Sequence, residues 1–193
     1  MRICLYGAAS PTIDKEYIEK VEALGREMAS RGHSLVFGGG GNGLMGAAAR
    51  GVKEKGGHIL GVIPKFFDEE DVEEIFSACD ELVMPDTMRE RKQIMEDHAE
   101  AFIIVPGGIG TFEEFFEILT LKQLCRHKKP IGIYNIRGYY NELILAMEAA
   151  MQKGFIRENC ADLYCLTDDP SELLSYIESP VVETHSVKEL KDG

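Results

Sequence analysis

Short apolar runs and longer amphipathic stretches follow one another along the chain. The apolar runs are rich in β-branched residues and predict buried strands. They lie at residues 2–6, 34–37, 58–63, 80–84, 102–105, 131–135 and 163–166. Between them, apolar positions recur with the helical period and predict helices. These helices lie at residues 13–30, 47–55, 88–98, from 111 onward, 139–153 and 171–177. This alternation predicts an α/β fold, a Rossmann-like, doubly wound parallel sheet with helices on both faces.

The hydrophobic pattern also divides the chain into one domain and a tail. A chain of 193 residues is long enough to bury one substantial core, and the alternating elements occupy residues 1–180. We therefore predict a single Rossmann-like domain over residues 1–180. The apolar periodicity stops after it, so residues 181–193 are predicted to be a mobile tail. Within the domain, the acidic segment 64–77 is predicted to be a solvated loop with some helix.

The turn after the fifth predicted strand carries three glycines. The strand stops at Pro106, which has no N–H to donate to a sheet. Gly107, Gly108 and Gly110 allow the backbone to turn tightly and to approach a ligand closely, because they have no Cβ. Thr111 is predicted to open the next helix. Free N–H groups and the positive end of the helix dipole therefore meet at one point, which predicts a site for an anion such as phosphate.

Two simpler interpretations of this turn remain open on the sequence alone. Many strand-to-helix turns in α/β proteins contain glycine and bind nothing. Thr111 and Glu114 also have the spacing of a capping box, in which the glutamate returns to the threonine N–H. A capping box accounts for Glu114 without chemistry. It does not account for the three glycines and the proline in front of it.

A second glycine-rich loop, residues 38–46, follows the strand predicted at 34–37. In a parallel sheet, the loops after the strands gather at the carboxyl edge, which is where ligands bind. Both glycine loops are therefore predicted to lie at that edge, with Gly39, Gly40 and Gly43 in the second wall of one site. Two such loops favour a binding site more strongly than either loop does alone.

The helix predicted after residue 87 carries cations on a face that also carries methionines. At about 100° per residue, one stripe contains Met88, Arg91, Lys92, Met95 and Ala99. The two cations can lay their apolar stems on the protein while their charges reach water. Alternatively, they line a pocket or a subunit interface and meet an anion or a carboxylate. The pattern alone leaves both interpretations open.

Composition limits the classes of partner. The net charge is −12, which argues against a nucleic-acid partner, since such proteins present basic patches. A single nucleotide phosphate needs only a local positive pocket. The five cysteines show no metal-ligand spacing, and together with the lack of a secretion signal they predict a cytoplasmic protein without a metal. No apolar run approaches the ~20 residues of a membrane span, so no membrane partner is expected.

Three motifs together resemble those of one known family. Residues 106–114 read PGGIGTFEE and match the PGGxGTxxE signature of the LONELY GUY (LOG) proteins. These are cytokinin riboside 5′-monophosphate phosphoribohydrolases, long labelled "possible lysine decarboxylase". Residues 88–95 resemble the companion motif with its Arg-Lys pair, and residues 36–46 resemble the glycine loop of the family. The resemblance extends over residues 2–178.

The resemblance implies a reaction and an assembly. The reaction is hydrolysis of the N-glycosidic bond of a nucleoside 5′-monophosphate, a cytokinin riboside 5′-monophosphate or AMP, to free base and ribose 5-phosphate. No cofactor is implied, and residues 1–180 would form one nucleotide-binding domain of a homodimer with active sites near the interface. The alternative is a non-catalytic nucleotide-binding or carrier protein on the same fold. A pyridoxal phosphate decarboxylase would need a Schiff-base lysine, for which the sequence offers no recognisable setting.

The motif match also implies roles for individual residues. Glu114 would be the catalytic carboxylate, and Arg91 would fix it or the ribose hydroxyls through its planar fork. The start of the helix is expected to keep Glu114 ionised. Glu113 is the rival carboxylate, but neighbouring helical side chains point about 100° apart, and the motif favours Glu114. The substrate-binding residues implied are Met88, Lys92, Gly107, Gly108, Gly110, Thr111, Gly39, Gly40, Gly43 and Ser10.

Two positions depart from the usual motifs of the family. Its first loop commonly reads Gly-Ser-Ser, but here the loop reads Gly7-Ala8-Ala9-Ser10, so those hydroxyl contacts are missing or displaced to Ser10. Arg89 stands where a histidine is common. Both departures bear on substrate preference more than on the reaction.

Overall fold

Seven parallel strands form one sheet in the part of the chain that the computed structural model describes, residues 1–69, 73–179 and 185–191. The strands are β1 (Arg2–Tyr6), β2 (Ser34–Phe37), β3 (Ile59–Val62), β4 (Glu81–Val83), β5 (Ala101–Ile104), β6 (Ile131–Tyr134) and β7 (Cys165–Thr167). Every neighbouring pair of strands is parallel. The predicted α/β fold with a parallel sheet is therefore confirmed.

The predicted helices are present in the predicted order, together with one short helix in the acidic segment and one in the predicted tail. They are α1 (Lys15–Ser30), α2 (Gly43–Glu54), α3 (Lys65–Glu69), α4 (Met88–His98), α5 (Ile109–Gln123), α6 (Asn141–Gln152), α7 (Pro170–Glu178) and α8 (Val187–Lys191). Helix α5 begins before the predicted Thr111, because Gly108 serves as its N-cap. Strand β7 begins later than predicted, because a 3-10 helix occupies Glu158–Leu163. Among the described residues, no helix has both the length and the apolar character needed to cross a membrane.

The strand order is β4-β3-β2-β1-β5-β6-β7. The chain runs outward from β1 to β4 on one side, crosses back to β5 beside β1, and then runs outward to β7. This crossover makes the carboxyl ends of β1 and β5 the switch point at which such sheets bind ligands. Tyr6 pairs with Ile104 at that edge, and Ala8 N donates to Pro106 O at 3.1 Å just beyond it. The loop after β1 and the glycine turn after β5 therefore lie side by side.

Each face of the sheet is covered by its own helices, which confirms the doubly wound arrangement. On one face, α1, α2 and α7 bury apolar residues such as Leu24, Val52 and Leu174. On the other face, α4 and α5 bury Met95 and Phe115 together with residues of α6 and α8. Strands covered on both faces are continuous apolar runs, as the sequence shows. Helices α4 and α5 share one face, so residues near their starts meet above the carboxyl edge.

The two segments predicted to be least regular are described only in part. In the acidic segment, residues 70–72 lie outside the described residues, and Ile75 forms an isolated bridge with Gly40. In the tail, residues 180–184 and 192–193 lie outside them. Residues 185–191 differ from the predicted mobile tail, because Leu190 is 2% exposed and its carbonyl accepts from Gln123 Nε2 at 3.1 Å. The division into a single domain and a tail stays a prediction.

Candidate active site

A reciprocal cap fixes the start of α4. Thr87 Oγ1 accepts a hydrogen bond from Glu90 N at 3.1 Å, and Glu90 Oε2 accepts one from Thr87 N at 3.3 Å. This capping box, which the Thr-x-x-Glu spacing predicts, satisfies N–H groups that the start of a helix leaves free. Arg91 lies one turn further on, and its N–H donates to the carbonyl oxygen of Thr87 at 3.0 Å.

Helix α5 begins within the glycine turn rather than at Thr111. Gly108 is its N-cap and has no side chain to offer, so Thr111 is the third helical residue. Glu114 lies a further turn along, and its carboxylate accepts from Arg91 instead of returning to the Thr111 N–H. The capping-box interpretation of Glu114 is therefore wrong, and this carboxylate requires another explanation.

Arg91 and Glu114 form a buried ion pair between α4 and α5. Nη1 of Arg91 donates to Oε1 of Glu114 at 2.8 Å, and Nε donates to the carbonyl oxygen of Val62, at the end of β3, at 3.1 Å. The two residues are only 7% and 8% exposed. A lysine could not present two donors in this planar arrangement. The guanidinium therefore fixes the Glu114 carboxylate at the carboxyl edge of the sheet.

Burial and the ion pair with Arg91 shift the pKa of Glu114 in opposite directions. Burial raises the pKa of Glu114 above its usual range, and the charge and hydrogen bond of Arg91 oppose that rise. The expectation that the start of α5 governs its ionisation is not met, because the carboxylate lies beyond the first turn and faces Arg91. Arg91 is the main group that favours the ionised form, and the charge of Lys92 acts in the same direction.

Glu113 and Lys92 belong to a second, outward set of charges. Lys92 Nζ contacts the carboxylates of Glu113 and Glu117. Burial acts to lower the pKa of Lys92, but its hydrogen bonds to these carboxylates outweigh burial, and the pKa is raised. Glu113 is exposed and Glu114 is buried, so only Glu114 aims into the fold, as the helical spacing predicts. The charge of Lys92 is met by protein carboxylates.

The glycine turn between β5 and α5 is open to solvent. A Cβ placed on Gly108 or on Gly110 would meet no atom within 4 Å, and Ile109 between them is 88% exposed. The first N–H groups of a helix have no acceptor within the helix, so this open space is where an anion would meet them. Gly107 differs, because a Cβ there would lie 2.1 Å from Oγ1 of the buried Thr111. Gly107 is therefore packed against protein, whereas Gly108 and Gly110 form an open rim of the turn.

The first half of the second glycine loop packs around Arg91. A Cβ on Gly38 would lie 2.1 Å from Arg91 Nη2, and a Cβ on Gly40 would lie 1.7 Å from Glu73 Oε1. Gly39 adopts a φ of +82° beside Ile63, a conformation that favours glycine. This half of the loop is the predicted second wall of the site.

The second half of that loop packs against the loop after β1. Gly43 adopts a φ of +58°, and a Cβ there would lie 2.4 Å from the carbonyl oxygen of Ala8. The same oxygen accepts from Leu44 N at 2.8 Å, so the loop after β1 caps the start of α2. Gly43 therefore joins two loops of the carboxyl edge and lies against protein backbone.

Glu73 is a residue of the site that the sequence analysis missed. It is half-buried beside Gly40, and its Oε1 atom has no hydrogen-bond partner among the residues described. Burial raises the pKa of Glu73 to about 7, against the opposing charge of Arg91. Its place in an acidic run indicated a solvated loop, and no periodicity distinguishes a carboxylate that turns inward from its acidic neighbours. Arg91 therefore acts on two carboxylates, those of Glu114 and Glu73.

A cavity of about 200 Å³ adjoins the glycine turn at the switch point. It is lined by Ala8, Ser10, Ile13, Tyr17, Leu44, Pro106, Gly107, Gly108 and Tyr139. Most of these side chains are apolar. Ser10, which the resemblance placed in the site, is exposed there with its Oγ 3.0 Å from Oγ1 of Thr12.

Most of the predicted site residues fall into three places, whereas Lys92 belongs to the outward set of charges and Gly43 lies against the backbone of Ala8. Arg91 and Glu114 form the buried pair, and Gly39 and Gly40 belong to the half of the glycine loop whose first residue, Gly38, lies against Arg91. Gly107, Gly108, Gly110, Thr111 and Ser10 form the turn and the rim of the cavity beside it. Met88, which is 40% exposed, and Arg89 lie in the exposed first turn of α4. The structure thus brings the two glycine loops and the ion pair together, and it leaves Met88 and Arg89 at the surface.

Solved structures share this fold at low sequence identity. The Moco carrier protein from Chlamydomonas reinhardtii aligns with a TM-score of 0.67 and 21% identity, over 90% of this chain and 93% of that chain. The X-ray structure of TM1055 aligns with a TM-score of 0.69 and 20% identity, over 92% of this chain and 98% of that chain. At such identities the likeness shows the fold alone.

Curated relatives are more similar in sequence. The cytokinin riboside 5′-monophosphate phosphoribohydrolase LOG4 of Arabidopsis thaliana is 37% identical over 97% of this chain and 87% of its own length. LOG1 of the same plant is 36% identical over 98% of this chain and 88% of its length. The family model described as "Possible lysine decarboxylase" matches residues 45–177. The chain therefore belongs to the LOG family of phosphoribohydrolases, which confirms the resemblance of its motifs.

Proposed function

We propose that this chain hydrolyses the N-glycosidic bond of a nucleoside 5′-monophosphate and releases free base and ribose 5-phosphate. The observation that carries the proposal is the buried Arg91–Glu114 pair beside the open glycine turn at residues 107–111. The pair offers a fixed carboxylate, and the turn offers N–H groups for a phosphomonoester. The names of the relatives support the class of reaction.

The phosphate would bind at the start of α5. The N–H groups of Ile109, Gly110 and Thr111 and the positive end of the helix dipole favour an anion there. Gly108 and Gly110 leave room for it, because a Cβ on either would meet only open space. The net charge of −12 makes this local positive end important, since the protein as a whole repels anions. A bound phosphate would hold the ribose in place for attack.

Glu114 would serve the bond-breaking step. As the bond between C1′ and the base nitrogen breaks, the base leaves with the electron pair and takes up a proton from solvent. The ribose then develops oxocarbenium character, which an ionised carboxylate stabilises. The same carboxylate can accept a proton from the water whose oxygen bonds to C1′. Arg91 would hold Glu114 in place and favour its ionised form.

The names of the relatives support a proposal for the base. LOG4 and LOG1 of Arabidopsis are named for cytokinin riboside 5′-monophosphates, and we propose such a nucleotide, or AMP itself, as the substrate. Ala8 and Ser10 line the cavity beside the glycine turn, where the family commonly has serines in its first loop. This loop and the exposed Arg89 are the positions at which preference between the two substrates would be set.

The proposal is tested by incubating the protein with AMP and with N6-isopentenyl-AMP and separating the products by chromatography. Free base is expected with the wild type. It should disappear in Glu114→Gln, which retains binding, and persist in Glu113→Gln, whose carboxylate is exposed and outside the pair. Binding of both nucleotides without release of base by the wild type would reject hydrolysis and favour the nucleotide carrier.

Two lysines, one beside the site and one with a lowered pKa, do not support the decarboxylase name of the family model. Lys92 contacts Glu113 and Glu117. Burial lowers the pKa of Lys122 to about 8, but its Nζ donates to Leu163 O at 2.7 Å. Lys122 lies at the opposite end of α5 from the glycine turn, and a helix of 15 residues is about 22 Å long. A Schiff base at the glycine turn has no support from either lysine.

We also propose a homodimer with active sites near the interface, in the cytoplasm. Helix α5 carries apolar residues on most of its sides, and the structure leaves one stripe of it exposed. That stripe contains Ile109, Glu113, Phe116 and Thr120. Ile109 is 88% exposed and Phe116 is 38% exposed. A second copy of the chain covering this stripe would remove both apolar side chains from water, next to the glycine turn.

A further inference from the structure

Two consecutive tyrosines hold the backbone of the glycine turn. Tyr140 Oη donates to the carbonyl oxygen of Val105 at 2.8 Å, and Tyr139 Oη donates to that of Gly107 at 2.7 Å. The carbonyl of the intervening proline accepts from Ala8 N at 3.1 Å. Three successive carbonyl groups, those of Val105, Pro106 and Gly107, are therefore each bound by a different donor.

The tyrosine contact at Gly107 acts at the least constrained peptide of the turn. Neither Gly107 nor Gly108 has a Cβ, so sterics alone would allow the peptide between them to turn over. In a trans peptide the C=O and N–H groups point in opposite directions, and no cis peptide occurs among the described residues. Tyr139 therefore fixes the Gly107 carbonyl on its own side and the Gly108 N–H on the other. A reversed peptide would present a carbonyl oxygen there and repel an anion.

The segment that carries the tyrosines is itself rigid. Tyr140 N donates to Asn135 Oδ1 at 2.8 Å, and Asn135 Nδ2 donates to Asn141 Oδ1 at 2.9 Å. Gly138 adopts a φ of +71°, and a Cβ there would lie 2.7 Å from Asn141 Nδ2. The rings of Tyr139 and Tyr140 pack edge to face with centroids 5.0 Å apart. Both hydroxyl groups are therefore presented in fixed positions.

We propose that Tyr139 is a positioning residue for the phosphate-binding turn. Its hydroxyl holds the Gly107–Gly108 peptide in the orientation that offers N–H groups to a phosphomonoester. This inference rests on the proposed function, in which that turn binds the phosphate. Tyr140 holds the inner end of the same turn, but it is 1% exposed, so removal of its hydroxyl would also disturb the core. Tyr139 is 40% exposed and gives the cleaner test.

The test measures the binding of ribose 5-phosphate and of adenine to Tyr139→Phe by calorimetry. Phenylalanine keeps the ring and removes only the hydroxyl. The loss of one hydrogen bond predicts a roughly 3- to 10-fold weaker affinity for ribose 5-phosphate and an unchanged affinity for adenine. Tyr176→Phe, which removes the hydroxyl of a partly buried tyrosine on α7, is the matched control and should change neither affinity. Thermal melting shows that each variant is folded.

Three outcomes would overturn the role of Tyr139. These are equal affinity of wild type and Tyr139→Phe for ribose 5-phosphate, equal loss for both ligands, and no binding of ribose 5-phosphate by the wild type. The reaction is read separately, as release of base from AMP. If base is released while the variant binds ribose 5-phosphate normally, only the role of Tyr139 fails. If the variant loses that affinity selectively while the wild type releases no base, the positioning role stands and hydrolysis fails.

Discussion

The hydrogen bond of 2.8 Å from Arg91 Nη1 to Glu114 Oε1 joins α4 to α5 at the carboxyl edge of the sheet. Both side chains are buried, so salt screens their attraction less than it screens a surface pair. Either charge alone at this depth would be costly. The same contact therefore holds two helices together and fixes the orientation of the proposed catalytic carboxylate.

Glu114→Gln is expected to abolish turnover without abolishing binding. Glutamine keeps the shape and can accept from Arg91, but it has no charge to stabilise an oxocarbenium ion and cannot take a proton from water. We expect release of base from AMP to slow by about 10²- to 10⁴-fold, with affinity for ribose 5-phosphate retained. Glu113→Gln should stay near the wild-type rate. An equal loss of rate in Glu114→Gln and Glu113→Gln would show that the buried carboxylate of Glu114 has no catalytic role that the exposed Glu113 lacks.

Two substitutions of Arg91 are expected to distinguish the effect of its positive charge from the effect of its planar guanidinium. Arg91→Lys keeps a cation but loses the planar fork that reaches both Glu114 and the Val62 carbonyl, so turnover should fall. Arg91→Ala leaves a buried carboxylate without its partner and should lower the free energy of unfolding by about 3–5 kcal/mol. Arg89→Ala, two residues away and exposed, is the control and should change stability by no more than about 0.5 kcal/mol. Urea unfolding measures both, and a stable Arg91→Ala would contradict the structural role of the pair.

The order of elements was predictable from the sequence because most strands (β1, β2, β3, β5 and β6) are buried on both faces. Such strands are short apolar runs, and the helices between them keep a clear period. The order of strands in the sheet was not predictable, because no local pattern records that β5 returns to lie beside β1. The start of α5 was placed too late for a local reason. Its N-cap is Gly108, whereas the pattern favoured Thr111, a residue type preferred at that position.

The site residues that lie in sequence motifs were predictable. The residues that reach the site only through contacts made in the fold were not. Arg91 and Glu114 lie in motifs, and the helical period separated Glu114 from Glu113. Glu73 lies in an acidic run whose composition indicates solvent, and only the fold turns it towards Gly40. The hydroxyl of Tyr139 binds the glycine turn from a segment 32 positions away. A contact over that distance leaves no mark in the spacing of residues.

Glu73 is expected to make stability depend on pH. Burial raises the pKa of Glu73 to about 7 in the folded protein, above its ordinary value of 4.5 in an unfolded chain. The folded state therefore holds this proton more tightly. The contribution to stability is fully present below pH 4.5 and is lost as pH rises through 7. The melting temperature of Glu73→Gln should therefore fall less than that of the wild type as pH rises from 4.5 to 7. Glu74→Gln, which changes an exposed neighbour, should keep the wild-type fall. Identical pH profiles for wild type and Glu73→Gln would refute the assignment.

Gly110→Ala is expected to weaken phosphate binding without weakening the fold. A Cβ at this position meets no protein atom within 4 Å, and alanine in place of a helical glycine stabilises by roughly 0.5–1 kcal/mol. The added methyl group would lie in the open space assigned to the phosphate, so KM for AMP should rise. Gly107→Ala should act in the opposite way and lower stability, because its Cβ would lie 2.1 Å from Thr111 Oγ1. An unchanged KM in Gly110→Ala would argue against a phosphate at the start of α5.

Phe116→Asp is expected to separate the proposed dimer into monomers. Phe116 lies on the exposed stripe of α5 and is 38% exposed, so a charge there would be buried without a partner if a second copy covers the stripe. Light scattering at micromolar concentration should give a dimer for the wild type and a single chain of 21.5 kDa for the variant. Leu82→Asp, on the edge strand β4, places the same charge at a residue that is 44% exposed and should leave the dimer intact. A monomeric wild type, or a dimeric Phe116→Asp, would contradict an interface on α5, because the exposed stripe would then face water in the assembled protein.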